Sequence, residues 1–179
     1  RDFDVMAVAS LDKPDEPRWY GLNVAGWALP SSIMRTANWL RCLGCGALYT
    51  PAIYGFILSN KSFPARISYV DDKGEKGSYD GHVGHFSVTC TVHVGTRTPV
   101  APDAKLDDGF LDLTIVRRTN VLHNLVTMSL AEKGKHVGRV GVVQARVSEV
   151  TLEPLDGRLL GKDTLNLDGE MTGTTPCRI

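Results

Sequence analysis

At 179 residues and 42% hydrophobic content, the sequence has room for one domain with a real core, or one domain with an insertion. Twenty basic residues balance twenty acidic ones, which removes the bulk-charge argument for nucleic acid. No run approaches the roughly 18 apolar residues that span a bilayer, and the opening Arg1-Asp2-Phe3-Asp4 is no signal peptide and lacks an initiator Met, so an upstream segment is expected. Cys42, Cys45, Cys90 and Cys177 show no disulfide framework, which points to a reduced, intracellular compartment. Cys42 and Cys45 form a lone CxxC; with no second CxxC or helical His pair beside it, two ordinary thiols near a helix end is the better reading.

In chain order, residues 3–9 alternate loosely and predict a strand, and 11–17 form a polar turn with two prolines. Residues 20–28 are apolar, hold Gly21 and Gly26, and predict one buried strand. Pro30-Ser31-Ser32 then opens a helix, with Ile33, Ala37 and Leu40 at helical spacing and Gly44 as its stop. Thr50-Pro51 starts a second helix that runs to about Ser59, with Asn60 behind it. Strands resume at 65–70, and 71–77 is a charged turn. In 86–94 the alternation is clean: Phe86, Val88, Cys90, Val92 and Val94 share one face. Residues 111–116 predict a strand and 120–133 a helix, with Leu122, Leu125, Val126, Ser129 and Leu130 along one side and Gly134 at its end. Residues 140–152 are strand-rich, and 165–167 form a short final strand. Many strands and few helices predict a mainly β (α+β) fold, a sandwich or barrel with a helical insertion over about 30–60.

Three features could carry chemistry. Residues 17–70 contain no Asp or Glu, yet hold Arg18, Arg35, Arg41, Lys61 and Arg66, which suggests a face for phosphate or anionic headgroups. Trp19, Trp27 and Trp39 fall in the same stretch, as residues of a membrane interface or of a core. The turn Asp107-Asp108-Gly109 precedes a strand and could offer side-chain and backbone oxygens to a hard cation, although such turns are more often structural. In Asp168-Gly169-Glu170 the carboxylates at i and i+2 would share a direction if extended, and could bind a metal–nucleotide or polarise a hydroxyl. His82 and His85, three apart on a strand, make a poor metal pair. No GxSxG, GxGxxG or phosphate-loop spacing occurs.

Three segments in order and spacing carry a family resemblance. APDAKLDDGFLDLTIVRR (101–118) resembles the Pro-x-Ala…Asp-Gly-x-Leu-Asp motif of the diacylglycerol-kinase catalytic family, which includes sphingosine and ceramide kinases. SLAEKGKHVGRVGVVQARVSEVTLEP (129–154) is similar to its helix, Gly-x-His turn and following strands, and LNLDGE (165–170) to its closing Asp-Gly-Glu. More loosely, NVAGWAL resembles the Trp-Gly strand of sphingosine kinases, and NWLRCLG (38–44) their Arg-x-Leu-Gly helix end.

The resemblance implies a β-sandwich of the NAD-kinase/diacylglycerol-kinase type, a single C-terminal lipid-kinase domain over 1–179. It implies transfer of the γ-phosphoryl of ATP to a hydroxyl of a sphingoid base, ceramide or diacylglycerol, with ATP and Mg as cofactors. Asp168 and Glu170 would be the catalytic pair, with Arg41 and Asp168 toward the nucleotide. A structural Mg would sit at Asp108 with the backbone oxygens of Lys105 and Phe110. The helices of 30–60 would cover the lipid tail and touch the membrane. The implied partners are a lipid substrate, a membrane surface and an N-terminal nucleotide-binding domain outside this chain, with homodimerisation open, no nucleic acid, and a cytoplasmic, peripherally membrane-associated location. Pro30, Ser31 and Ser32 stand where sphingosine kinases carry a headgroup Asp, and Ala47 where they carry a second Arg. A non-catalytic descendant that binds lipid or a partner is therefore the second reading. A carbohydrate- or protein-binding sandwich is the third, and the acid-free helical stretch argues against it.

Overall fold

The computed structural model describes residues 3–40, 49–95, 98–157 and 161–179. Its framework is a ring of four antiparallel strands: β4 (Phe63–Asp71), β5 (Lys76–Thr89), β8 (Leu111–Arg117) and β9 (Val142–Pro154). The first half of β5 pairs with β4 from Val70↔Lys76 to Phe63↔Val83, and its second half with β8 from Val83↔Arg117 to Thr89↔Asp112. In the same way β9 pairs first with β8 and then with β4, so the ring closes. Each long strand passes between two layers, and register shifts mark the bends, between Val83 and His85 on β5 and at the β4–β9 pair near Asp71.

The other strands extend this ring on both sides. Beyond β5 lie β3 (Val24–Ala28), β10 (Gly161–Leu167) and the edge strand β11 (Glu170–Thr175). Beyond β9 lie β12 (Cys177–Arg178), β1 (Met6–Ser10) and the edge strand β2 (Trp19–Gly21). β6 (His93–Val94) and β7 (Thr98–Pro99) form a separate two-stranded ladder. The mainly β expectation holds. The core between the layers contains Trp27, Ile67, Phe86, Val88, Leu113, Ile115, Leu152 and Leu165, all fully buried. Trp27 meets Phe63 edge-on at 5.8 Å.

Helices α1 (Leu29–Leu40) and α2 (Tyr49–Leu58) occupy the expected insertion. Gly26 decides how closely α1 approaches β3, since a Cβ there would stand 2.7 Å from Pro30 Cβ. The buried Ser31 hydroxyl fixes the start of α1 by donating to the Thr164 carbonyl at 2.7 Å, with the Gly26 carbonyl 3.0 Å away. Asn120 caps α3 (Val121–Ala131) by accepting from the His123 N–H at 2.8 Å.

Several expectations need correction. The predicted strand over 20–28 is two, β2 and β3, split by a turn at Leu22 and Asn23. The strand expected over 86–94 begins at Lys76 and ends at Thr89; Cys90 is still buried on the Phe86 face, but His93 and Val94 belong to β6. Two strands, β11 and β12, follow the supposed final strand. The stripe on α3 is split: Leu122 and Val126 are exposed and Leu125 and Leu130 half-buried, while Asn124, Thr127, Met128 and Ala131 point into the fold. Trp27 is core, not membrane interface, and Trp19 packs partly buried against that core. The acid-free stretch is not one anion face, because Arg66 sits directly opposite Asp80 on β5 and bonds it at 3.2 Å. Cys42, Cys45, Arg41 and Ala47 lie outside the described residues.

Candidate functional site

The Asp-Gly-Glu segment is the tip of the β10–β11 hairpin. Leu167 pairs with Glu170, and the two residues between them have φ of 51° and 94°. Positive φ at both central positions defines a type I′ turn, which favours Asp-Gly. The segment is therefore not extended, and the i, i+2 relation between the two carboxylates is broken. Asp168 reaches across to the β2–β3 turn. Its Oδ2 accepts from the Leu22 N–H at 2.7 Å, and its Oδ1 from Asn23 and Val24 at 2.9 and 2.8 Å. Its own N–H donates to the Val24 carbonyl at 2.9 Å. A carboxylate has about four lone-pair positions, so three are taken and one, on Oδ2, stays open. Glu170 is exposed and has no hydrogen-bond or ionic partner among the described residues. The hairpin thus presents one free carboxylate beside one that holds the fold.

Asp108 also has a structural environment. Its Oδ1 accepts from the Phe110 N–H at 3.0 Å, and its carboxylate pairs with the Arg146 guanidinium, which lies over the Phe110 ring at 5.4 Å. Asp4 Oδ2 accepts from the Asp108 and Gly109 N–H groups at 2.9 and 3.0 Å, which ties the N-terminal segment to the turn. Arg146 supplies the positive charge that a cation at Asp108 would bring, and the described residues hold no cluster of three His, Cys, Asp or Glu able to take a metal. Magnesium at Asp108 with the backbone oxygens of Lys105 and Phe110 stays an expectation from the resemblance. The hairpin tip offers two carboxylates, which would meet a triphosphate through its magnesium ion rather than directly.

The residues do form a pocket that the sequence did not reveal. A cavity of about 180 Å³ lies between α1, α2, α3 and the β5–β8 surface. Ile33, Ile53, Phe56, Ile57, Met128 and Ala131 supply most of its apolar wall. His85 and His136 line it as well. His85 bonds Ser87 Oγ at 3.0 Å, and burial with His136 nearby pushes its pKa down to about 4. Burial lowers His136 too, against the opposing effect of its ring N–H donated to the Val100 carbonyl at 3.0 Å. Burial thus favours the neutral form of both rings, and the charged lining residues are Lys61 and Arg117. His82 is elsewhere, with Ser62 Oγ at 3.3 Å, which agrees with discounting a His82–His85 metal pair. Neither described thiol is a nucleophile: burial pushes Cys90 up to about 11 and Cys177 to about 12.

Residues 31–179 match the family of YegS C-terminal NAD kinase beta sandwich-like domains. The chain belongs to that family. This YegS-type domain is 31% identical over 98 residues to a diacylglycerol kinase of Bacillus subtilis, a match covering 55% of the chain and 31% of that protein. It is 29% identical over 116 residues to a diacylglycerol kinase of Staphylococcus epidermidis, covering 65% and 34%. A solved structure of a diacylglycerol kinase from Bacillus anthracis shares the fold, with a TM-score of 0.60 at 19% identity, over 98% of the YegS-type domain and 53% of that chain. The matches span about a third of the length of these curated relatives. The expected resemblance to the C-terminal domain of a diacylglycerol/sphingosine-kinase-like lipid kinase therefore holds at the level of the family.

Proposed function

We propose that this chain supplies the acceptor side of an ATP-dependent lipid kinase, holding a lipid by its tail while a hydroxyl of a diacylglycerol, ceramide or sphingoid base is phosphorylated. The observation that carries this reading is the mainly apolar cavity roofed by α1 and α2 and walled by α3, with Lys61 and Arg117 as its only cationic lining residues, in a family whose named relatives are diacylglycerol kinases. Small-molecule sites are typically such mainly apolar clefts with a few polar groups. Burying an acyl chain there gains roughly 0.8 kcal/mol per methylene removed from water, which anchors the substrate without engaging the hydroxyl.

Glu170 is the residue proposed to act at that hydroxyl, by accepting its hydrogen bond and orienting it; Asp168 positions Glu170 by locking the hairpin to the β2–β3 turn. Phosphoryl transfer depends mainly on positioning and charge neutralisation. ATP, with Mg, would supply the phosphoryl group, and its phosphates would be held by residues other than this hairpin. Arg41 is retained as a nucleotide contact on the resemblance alone, and an N-terminal nucleotide-binding domain as the partner. A cytoplasmic protein resting on a membrane surface is consistent with this reading; no helix among the described residues is long and apolar enough to cross a membrane. The test is transfer of label from γ-labelled ATP to a panel of diacylglycerol, ceramide and sphingosine by the full-length protein. Labelled lipid in any arm supports the reading; label in none of them removes it.

A further inference from the structure

We propose that the outward face of α3, with the segment 135–140 that returns along it, docks the protein onto an anionic bilayer. This rests on the lipid-kinase reading for its purpose, but its residues come from separate observations. The first is that the helix leaves part of its apolar stripe uncovered. Leu122 is 72% exposed and Val126, one turn on, 40%, while Asn124 and Thr127 line the cavity. The apolar stripe of an amphipathic helix normally faces the core; here Leu125 and Leu130 are half-buried, and Leu122 and Val126 have no cover among the described residues.

The return segment continues the face. Lys135 N–H donates to the Leu130 carbonyl at 2.9 Å at one end of α3, and the His123 ring meets the Val140 carbonyl at 2.7 Å at the other. Val137 is 42% and Val140 83% exposed between and at these ties. Asn124 donates to Asn60 Oδ1 at 3.2 Å, joining the face to the end of α2, where Tyr54 and Leu58 are also exposed.

Charge then selects the occupant. Between residues 113 and 148 the sequence has six Lys or Arg and a single acid, Glu132. Exposed Arg118, Lys133 and Lys135 form no ion pair among the described residues, whereas Arg117 lies over the Tyr79 ring and, with Lys61, lines the cavity. Exposed Leu and Val bordered by unpaired cations match a headgroup layer, into which apolar side chains insert while cations meet anionic lipid. A second copy of the chain is disfavoured, because a two-fold interface through this face would oppose like charges. Nucleic acid would leave the apolar centre unused. The two helices that wall the cavity would then lie against the bilayer that holds the substrate.

The experiment is co-sedimentation of the full-length protein with vesicles of phosphatidylcholine alone or with added phosphatidylglycerol. It compares wild type with Leu122→Asp/Val140→Asp and with Arg118→Glu/Lys133→Glu/Lys135→Glu, none of which lines the cavity. Wild type should sediment with the anionic vesicles and not the neutral ones. Each variant set should lose at least about tenfold in partitioning, while phosphorylation of a dispersed short-chain lipid stays at the wild-type rate. Wild-type binding in both variant sets, or equal binding of wild type to neutral vesicles, would overturn the proposal. So would a Leu122→Asp/Val140→Asp protein that changes from dimer to monomer with vesicle binding unchanged. Vesicle binding needs neither ATP nor turnover, so an inactive protein that binds in this pattern would sink the kinase reading and leave this one standing.

Discussion

Removing the Asp168 carboxylate should separate its structural role from any chemistry. In Asp168→Ala the N–H groups of Leu22, Asn23 and Val24 lose their acceptor. The first two bonds are exposed, so water replaces most of what is lost; the Val24 bond is part-buried and worth about 1–2 kcal/mol. Alanine at a φ of 51° adds about 1 kcal/mol of backbone strain, for a total near 3 kcal/mol. Asp168→Asn keeps Oδ1 for Asn23 and Val24, loses only the Leu22 bond, and suits a left-handed φ. It should cost about 1 kcal/mol. Urea denaturation followed by tryptophan fluorescence measures both, as a shifted midpoint at constant slope. Two variants that match wild type, or that lose equal stability, would refute the clamp. A further consequence is that lost activity in an Asp168 variant is no evidence of catalysis, whereas Glu170, with no partner to lose, gives an interpretable substitution.

Gly26→Val should cost about 1–3 kcal/mol by driving α1 off β3, seen as a lowered urea midpoint; an unchanged midpoint would show that Pro30 yields freely. Ala131→Trp fills the cavity and should raise KM for a long-chain lipid acceptor roughly tenfold while sparing a short-chain one; equal effects on both would place the tail elsewhere. The pH dependence has two opposing parts. Burial pushes Asp112 up to about 6, with Asp103 adding to it, so its contribution is full below about pH 4 and lost as pH rises through 6. His85, depressed to about 4, contributes above about pH 6.5 and loses that as pH falls through 4. Asp112→Asn removes only the first, so its stability relative to wild type should rise by about 2 kcal/mol from pH 4 to 7. A pH-independent difference would mean that Asp112 titrates normally.

The sheet was legible where one face is apolar and the other polar. Phe86, Val88 and Cys90 are buried as their alternation predicts, and Asn120 and Gly134 bracket a real helix. What the local pattern could not show was the ring itself. β5 and β9 each serve two layers, so Ser87, Thr89 and Thr114 are buried as deeply as their apolar neighbours. The split of 20–28 was hidden because its cause lies some 145 positions away, in the Asp168 carboxylate. Periodicity found α3 but not its orientation, which is set by the sheet and α2. For the candidate site, the hairpin was visible in its Asp-Gly turn signal. The cavity was not, since its walls come from α1, α2, α3, β5 and β8 together.

The most direct measurement of the central claim is turnover of a lipid acceptor by the full-length protein, wild type beside Glu170→Gln, with ATP as donor. The account predicts a phosphorylated lipid from wild type, and at least about tenfold lower kcat in Glu170→Gln at an unchanged urea midpoint. No phosphorylated lipid from wild type would contradict the kinase assignment, and unchanged turnover in Glu170→Gln would remove Glu170 from the mechanism.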